Sequence, residues 1–312
     1  MLQLSEDDVI RALTPARALV ALRAAFARGP ASFEMPTRTQ APLAGGGVLL
    51  IMPCFDPAVP AAGVKLVSVS DAVRATYLWL DPKTGEVLAT IAANYLTDVR
   101  TAAASALATD LLARPDAETL GIFGTGRQAR AHLDALPLVR RFHRVLVSGG
   151  SPEKSEAFVR TWGRTSRPAT PSAVRQGFEL VAATPEQLAR ESDVICACTT
   201  CATPLFPGEW LRPGTHLNLI GAFQPHTREV DTATVARARV IVDTYAGALA
   251  EAGDLLIPIA EGAITRDHVA GDLHEVVSGK QRARRSPDEI TLFKSVGCAL
   301  EDLAAARVVI SG

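Results

Sequence analysis

The sequence lacks an excess of charge of either sign: 32 Lys and Arg residues stand against 33 Asp and Glu residues, for a formal net charge of −1 over 312 residues. A chain without a basic excess has no general electrostatic attraction to nucleic acid or to an anionic membrane. It also lacks a long hydrophobic run, since the longest, residues 48–54, is far short of the roughly 20 apolar residues that a membrane span needs. We therefore expect neither nucleic acid nor a membrane as a partner.

Cysteine is scarce as well, with five residues in the whole chain. An odd count in a chain of this length argues against a disulfide framework. Cys196, Cys198 and Cys201 lie close together, but no His or fourth Cys follows at zinc-finger spacing, so we predict no metal site. The first residues are acidic where a secretory signal would have an apolar segment, and we expect a cytoplasmic protein.

The segment 119–136, TLGIFGTGRQARAHLDAL, carries the most specific pattern in the chain. A short apolar strand runs into a Gly-Thr-Gly turn and a helical pattern begins at once, which is the G-x-G-x-x-A fingerprint of a dinucleotide-binding βαβ unit. The first glycine allows the tight turn, the second lets a pyrophosphate approach the backbone, and free N–H groups at the helix start favour phosphate. The candidate cofactor-binding residues of this turn are Gly124, Thr125, Gly126, Arg127, Gln128 and Ala129.

Strand and helix patterns alternate from Thr119 onward, which is typical of a parallel sheet covered by helices. We predict the α/β class, with a Rossmann-type, doubly wound parallel sheet in an NAD(P)-binding domain over residues 114–290. A smaller α+β domain is predicted over residues 1–113. The last helix is predicted over Pro287–Ala306, and the C-terminal part of the chain, about 291–312, is expected to join the smaller domain.

The first domain begins with two helix signals, a capping sequence at Ser5 and a Thr14-Pro15 start. Strand-like segments follow, among them Gly63–Val69 and a hairpin formed by ATYLWL and EVLAT. Consecutive strands joined by short turns predict a meander or an open barrel. An alanine-rich helix over Leu96–Ala113 ends this part of the chain.

Three cations in the first domain stand where simple solvation is a poor explanation. Strand alternation places Lys65 on one face with valines, which is unusual unless that face also lines a cavity. Arg100 opens the alanine-rich helix, where a positive charge is unfavourable unless an anion is near, and Arg38 lies between strand-like segments. Two guanidinium groups and an ammonium suit a substrate carboxylate, although each residue taken alone is more often a surface or ion-pair residue.

Asp231 follows the strand pattern HLNLIG and a turn-forming loop, on the side where loops beyond Rossmann strands face the cofactor. A carboxylate there suits proton exchange with an amine or imine nitrogen. The alternative is a helix N-cap, because a helical pattern begins directly after Asp231. His226 and Glu229 are weaker candidates in the same loop.

Five distinct motifs follow one another along nearly the whole chain: GVKLVSV, LTDVRTAAASALA, GTGRQARAHLDAL, THLNLIGAFQPHTREVD and DEITLFKSVGCALEDLAAA. Together they resemble the ornithine cyclodeaminase/μ-crystallin family. The resemblance implies a homodimer whose smaller domain binds a small amino or imino acid and forms the dimer. It also implies that Arg38, Lys65 and Arg100 surround the substrate carboxylate and the reacting carbon. Asp231 would be the acid/base, and Thr101 would lie near the cofactor.

The same resemblance implies NAD(P)-dependent chemistry on an amino acid or its imine. We favour a reductase that converts a cyclic ketimine such as 1-pyrroline-2-carboxylate into an L-imino acid such as proline. Two departures support this choice: Ala92-Ala93 replaces a family Asp-Gly pair, and the loop GAFQPHTREVD resembles the reductase branch. The alternatives are ornithine cyclodeaminase, which forms L-proline and ammonia from L-ornithine, an alanine-dehydrogenase-like oxidoreductase, and a non-catalytic NADPH-binding protein.

The expected cofactor is NADP or NAD, and we favour NADP. The second strand of the unit ends in SGGS, residues 148–151, without the acid that usually binds the ribose 2′-hydroxyl of NAD. No Arg stands there to bind a 2′-phosphate either. Ser148, Ser151 and Thr199 complete the candidate cofactor-binding residues.

Overall fold

The computed structural model describes residues 1–70, 72–165 and 177–312. The chain divides into two compact units. The first unit comprises Met1–Ala104 together with Gly297–Gly312, and the second comprises Ser105–Val296.

The first unit combines helices with a mixed sheet. In chain order its elements are β1 (Leu2–Leu4), α1 (Glu6–Ala12), α2 (Pro15–Arg28), β2 (Thr39–Pro42), β3 (Val48–Asp56), β4 (Ala61–Val69), β5 (Val73–Leu80), β6 (Val87–Ala92) and α3 (Asn94–Leu112), within which the division falls. Both expected helix starts are confirmed, because Ser5 forms a capping box with α1 and Thr14 caps α2 with Pro15 in its first turn.

The sheet of the first unit has the strand order β1-β6-β5-β4-β3-β2. Neighbours from β2 to β6 pair antiparallel, which confirms the predicted meander with its β5–β6 hairpin, and β1 adds a parallel edge beside β6. The sheet stays open rather than closing into a barrel. Its strands alternate between a buried and a half-buried face, as in β4, where Lys65 and Val67 are buried and Leu66 is half-buried.

The expectation that Arg100 opens its helix is wrong. α3 begins at Asn94, so Arg100 lies in the second turn, beyond the range in which the helix dipole acts strongly on a charge. Thr97 supports the earlier start, because its N–H and its hydroxyl both donate to the carbonyl of Ala93, at 3.0 and 2.8 Å. The helix dipole therefore gives no reason to expect an anion beside Arg100.

The second unit alternates strands with helices. In chain order its elements are β7 (Thr119–Phe123), α4 (Arg127–Ala135), β8 (Arg144–Ser148), α5 (Pro152–Thr165), β9 (Glu179–Ala182), α6 (Pro185–Glu191), β10 (Val194–Ala197), β11 (His216–Leu219), α7 (Thr232–Arg237), β12 (Arg239–Val242), α8 (Tyr245–Glu251), α9 (Gly253–Ala260), β13 (Val269–Asp272), α10 (Leu273–Val277) and β14 (Thr291–Lys294). The last helix of the chain, α11 (Ala299–Ile310), belongs to the first unit.

The strands of the second unit form one sheet in the order β13-β12-β14-β11-β10-β7-β8-β9, and every neighbouring pair is parallel. This confirms the predicted α/β class with a Rossmann-type, doubly wound sheet. After β9 the chain crosses to the other side of β7, so the winding changes direction between β7 and β10. Ligands of such sheets bind outside the carboxyl ends of the strands at that switch point.

The predicted helix over Pro287–Ala306 is wrong in its first part. Thr291–Lys294 forms β14, a fully buried strand between β11 and β12, and helix begins only at Ala299. A four-residue strand buried on both faces has no alternation that would separate it from part of a helix. Residues 291–296 therefore belong to the second unit.

Two groups of buried apolar side chains fill the second unit. One includes Leu219 and Leu292, and the other includes Ile122, Val147 and Ala129. Within the described ranges, no helix combines the length and the apolar character that crossing a membrane requires.

Candidate active site

The fingerprint turn lies at the carboxyl end of β7, beside the switch point of the sheet. Gly124 has a φ of 110°, which favours glycine, and a Cβ on it would lie 2.5 Å from the carbonyl oxygen of Cys198. A Cβ on Gly126, in contrast, would meet no described atom within 4 Å. The space over the second glycine is therefore open, as the approach of a pyrophosphate requires.

The start of α4 offers backbone donors to that space. Gly126 is the N-cap residue, and no side chain in the described part of the chain caps the helix. Arg127 is exposed and Gln128 is half-buried in the first turn, while Ala129 is completely buried among apolar side chains. Uncapped N–H groups at a helix start, together with the helix dipole, suit a phosphate.

The turn after β8 packs against the fingerprint turn. The N–H of Gly124 donates to the carbonyl of Ser148 at 2.8 Å, and a Cβ on Gly149 would lie 2.8 Å from Cγ2 of Thr125. Ser148 is buried, and Ser151, directly before α5, is half-buried. The predicted residues of β7 and β8 thus lie at one end of the sheet.

Thr199 lies two residues after β10 and binds a carboxylate. Its N–H and hydroxyl groups donate to Oε1 of Glu229 at 2.9 and 2.7 Å. The N–H of Gly221 donates to Oε2 of the same side chain at 2.7 Å. Glu229 is completely buried; burial raises its pKa to about 7, although Lys294 and the bonds from Thr199 oppose the rise. Sequence context alone ranked Glu229 as a weaker candidate for proton exchange, and it gave no sign of these contacts.

Asp231 is the N-cap residue of α7, which is the alternative role considered from its sequence context. Its Oδ1 accepts hydrogen bonds from the N–H and the hydroxyl of Thr234 at 2.8 and 2.7 Å. Its Oδ2 accepts a hydrogen bond from the N–H of Gly208 at 2.8 Å. Three donors thus hold this carboxylate at the helix start, and a catalytic role for Asp231 stays a prediction.

Lys65, in the first unit, is 1 % exposed, and its ammonium donates to Oδ1 of Asp302 at 2.7 Å. The predicted alternation is confirmed, since Lys65 and Val67 share one face of β4. Burial lowers the pKa of Lys65 to about 8; the charge of Arg100 acts in the same direction, and Asp302 opposes both. A lysine in this range is still mostly protonated at neutral pH, but it loses its proton more readily than an exposed lysine.

Arg100 is joined to the same carboxylate. Its Nε lies 2.9 Å from Oδ1 of Asp302, and its Nη1 donates to Glu301. Burial alone would lower the pKa of the arginine, but the two carboxylates outweigh it and raise the pKa. A Cβ on Gly297 would lie 2.6 Å from Nη1 of Arg100, so a glycine is needed there for the guanidinium to fit. The structure therefore brings Lys65 and Arg100 together around one aspartate.

Glu301 and Asp302 are the members of this cluster that the sequence did not reveal. Both are completely buried in α11, and Asp302 is separated from Lys65 by 237 positions, so no local pattern links them. The available signal is a pair of adjacent acids in an otherwise apolar, alanine-rich helix, ALEDLAAA, since a buried carboxylate requires a partner. Two cations and two carboxylates balance one another in this cluster.

Arg38 and Thr101 complete the predicted set in the first unit. Arg38 is half-buried directly before β2, and Thr101, next to Arg100 in α3, is 6 % exposed. Their roles stay predictions.

Among residues 1–70, 72–165 and 177–312, no group of three or more His, Cys, Asp or Glu side chains is placed to hold a metal ion. Cys196 lies buried in β10, where burial raises the pKa of its thiol to about 12. A thiol in that state is far from the thiolate that binds metals.

A parallel sheet with an open glycine turn at its switch point is typical of the dinucleotide-binding domain of an oxidoreductase. The particular family follows from the whole chain. Residues 2–311 match the family model described as the Ornithine cyclodeaminase/mu-crystallin family, and the chain belongs to this family. The resemblance seen in the sequence motifs is confirmed.

Similar proteins include two curated relatives and a solved structure. The chain is 35 % identical over 283 residues to a Delta(1)-pyrroline-2-carboxylate reductase of Bacillus cereus, covering 87 % of this chain and 84 % of the relative. It is 35 % identical over 301 residues to the ketimine reductase mu-crystallin of Mus musculus, covering 93 % and 89 %. The structure of Thermococcus litoralis Delta(1)-pyrroline-2-carboxylate reductase, in complex with NADH and L-proline, matches with a TM-score of 0.93 and 33 % identity over 100 % of this chain and 97 % of that chain.

Proposed function

We propose that the protein is an NAD(P)H-dependent reductase that converts a cyclic ketimine carrying a carboxylate, such as 1-pyrroline-2-carboxylate, into an L-imino acid such as proline. The observation that carries the proposal is the buried pair of cations, Lys65 and Arg100, in a chain that also has an open dinucleotide-binding turn. Relatives named for this reaction, one of them with NADH and L-proline bound, support the choice of substrate.

The proposed substrate-carboxylate residues lie in the first unit, and most of the proposed cofactor contacts lie in the second. Bound NAD(P)H supplies the hydride for the C=N carbon. Lys65 and Arg100, together with Arg38, bind the substrate carboxylate and offset its charge. Asp231 is the proposed proton donor, since reduction is easier when the C=N nitrogen is protonated. The proposed cofactor contacts are Thr101, Gly124, Thr125, Gly126, Arg127, Gln128, Ala129, Ser148, Ser151 and Thr199.

NADPH is the proposed preference within this cofactor class. The SGGS turn after β8 offers hydroxyl groups and no carboxylate, so nothing in residues 148–151 repels a 2′-phosphate. Fluorescence titration with both cofactors tests the preference. Markedly tighter binding of NADH than of NADPH would contradict it.

The reaction is tested by NADPH and NADH oxidation with 1-pyrroline-2-carboxylate, with product analysis for L-proline. We expect oxidation of the cofactor and formation of proline. Proline formed from L-ornithine with NAD⁺ would instead support the cyclodeaminase alternative, and activity with pyruvate and ammonia would support an alanine dehydrogenase. Cofactor binding without turnover of any substrate would support a binding protein.

The assembly proposed is a homodimer in the cytoplasm. The half-buried face of the first unit's sheet carries apolar side chains on three adjacent strands, among them Ile51, Val64, Leu66 and Leu78. An apolar surface of this kind marks an interaction site, and a second copy would cover it. All five cysteines are free thiols, which supports a reducing compartment.

A further inference from the structure

Glu229 is a buried carboxylate between the loops that follow β10 and β11, and the proposed mechanism gives it no task. The loops after β10 and β11 leave neighbouring parallel strands at their carboxyl ends. Glu229 binds both loops: Oε1 accepts from the N–H and the hydroxyl of Thr199, and Oε2 accepts from the N–H groups of Gly221 and Ala222 at 2.7 and 3.3 Å. Four donors from two loops therefore converge on one side chain.

The two loops approach so closely that one of them needs a glycine. A Cβ on Gly221 would lie 1.7 Å from the carbonyl oxygen of Thr199 and 2.7 Å from Oε1 of Glu229. Position 221 therefore has no room for a side chain, and the backbone of Gly221 packs directly on the backbone of Thr199. The carboxylate of Glu229 is the group that satisfies the amides on both sides of the contact.

A second layer of charges supports Glu229. Oδ1 of Asp254 accepts from the N–H groups of Glu229 and Val230 at 2.7 and 3.2 Å. Oδ2 of Asp254 lies 2.9 Å from Nζ of Lys294, the last residue of β14, and both side chains are completely buried. A buried carboxylate is stable only with such compensation. The arrangement therefore fixes Glu229 from β14 and α9 as well as from the two loops.

We propose that Glu229 is a positioning residue for the cofactor, holding the loops after β10 and β11 in the arrangement that receives the nicotinamide half of the dinucleotide. This inference rests on the proposed function. A Rossmann sheet is built from two mononucleotide-binding halves, and the first, with the fingerprint turn, binds the pyrophosphate and the adenosine side. The loops bound by Glu229 belong to the second half, beyond the switch point.

The test compares NADH with ADP-ribose, which lacks the nicotinamide, in binding titrations of the full chain and of Glu229→Gln. The glutamine amide would face the N–H groups of Gly221 and Ala222, leaving buried donors without an acceptor. We expect the Kd of NADH to rise about 10- to 100-fold, as the loss of such hydrogen bonds implies, while the Kd of ADP-ribose stays unchanged. A general loss of structure would instead weaken both ligands equally.

Asp272→Asn is the matched control, because Asp272 is also a buried carboxylate that accepts a backbone N–H, from Glu275 at 2.9 Å, but at the edge strand β13. We expect it to leave both dissociation constants unchanged. If Glu229→Gln does not fold, the pH dependence of the wild-type dissociation constants provides the test.

The pH dependence gives a second readout. Among the described residues, the titratable groups near Glu229 are Lys294, Asp254 and the thiols of Cys196 and Cys198. Burial raises the pKa of Glu229 to about 7. Protonation removes acceptor capacity, so wild-type affinity for NADH is expected to fall below pH 7, and Glu229→Gln is expected to lack this change. Unchanged NADH affinity in the variant, or equal loss of both ligands, would overturn the inference. A wild-type protein that binds neither ligand would overturn the proposed function itself.

Discussion

A lysine that is 1 % exposed keeps its charge only through its partners. Lys65 shares Asp302 with Arg100, and Glu301 completes a cluster of two cations and two carboxylates. Removing one member of such a cluster leaves an uncompensated buried charge, which typically costs about 3 to 5 kcal/mol. The cluster is therefore pre-formed and charge-balanced. In the proposed function, a substrate carboxylate would find both cations already held in place.

Lys65→Met tests the proposed contact with the substrate. Methionine fills a similar volume without the ammonium, and Asp302 keeps Arg100 as a partner. We expect kcat/KM for 1-pyrroline-2-carboxylate to fall about 100-fold, as the loss of a charge-assisted hydrogen bond implies, with NADPH binding unchanged. Wild-type activity is also expected to decline above pH 8, because the pKa of Lys65 is lowered to about 8 by burial. A variant with wild-type kcat/KM would remove Lys65 from the site.

Asp231→Asn separates proton transfer from helix capping. Asparagine caps helices as well as aspartate does, but its amide group would face the N–H of Gly208, so we expect the free energy of unfolding to fall by about 1 to 3 kcal/mol. Loss of a general acid typically lowers turnover about 10²- to 10⁴-fold, and we expect that loss with cofactor binding retained. Steady-state kinetics and an NADPH titration measure the two effects. An active variant would leave Asp231 as a helix cap alone.

At the scale of elements, His132 links α4 to the part of α3 that belongs to the second unit. Its Nδ1 lies 2.8 Å from the carbonyl oxygen of Gln128, and its Nε2 lies 2.9 Å from the hydroxyl of Ser105. The ring is completely buried, and burial lowers the pKa of His132 to about 4. The helix that follows the fingerprint turn is thus held by a neutral imidazole.

Acid should weaken this link before it affects the ion pairs. In the unfolded chain the imidazole takes up a proton near pH 6.5, but in the folded chain only near pH 4. Stability is therefore lost as the pH falls from 6.5 to 4, by roughly 3 kcal/mol from this group. Urea unfolding at several pH values should show a smaller loss for His132→Gln than for the wild type. His143→Gln, at an exposed histidine, should keep the wild-type slope. Equal slopes for all three proteins would contradict the assignment.

The elements that sequence patterns predicted are those with a local signal. One is β7, which is followed directly by a glycine turn and a helix start. The other is the β5–β6 hairpin. Both depend on neighbouring residues in the sequence, and both are confirmed. β13 and β14 were missed although other four-residue strands of the unit were predicted. VAGD contains a glycine and an acid, and TLFK merges with the helix that follows. Their strand character comes from pairing with β12, which lies far away in sequence.

At the scale of the whole chain, contacts between residues far apart in sequence also limited the prediction of the cluster around Lys65. Lys65 was predicted from strand alternation, but its partner stands 237 positions later, in a helix that returns to the first unit after the second unit is complete. A pairing of that separation leaves no trace in local periodicity. Removing α11 would take both carboxylates from Lys65 and Arg100, so the C-terminal helix matters to the proposed substrate site and not only to packing.

The proposed homodimer can be tested through the sheet face of the first unit. The half-buried sheet face around Leu66 is apolar on three adjacent strands, and a dimer would bury it. We expect light scattering to give about twice the single-chain mass for the wild type. Leu66→Glu should give the single-chain mass, because a dimer would leave its charge desolvated without a partner. Val20→Glu is the matched control: Val20 is 70 % exposed on α2, away from that face, and the substitution should leave the dimer intact. A wild type with the single-chain mass, or a dimer that tolerates glutamate at position 66, would contradict an interface on this face.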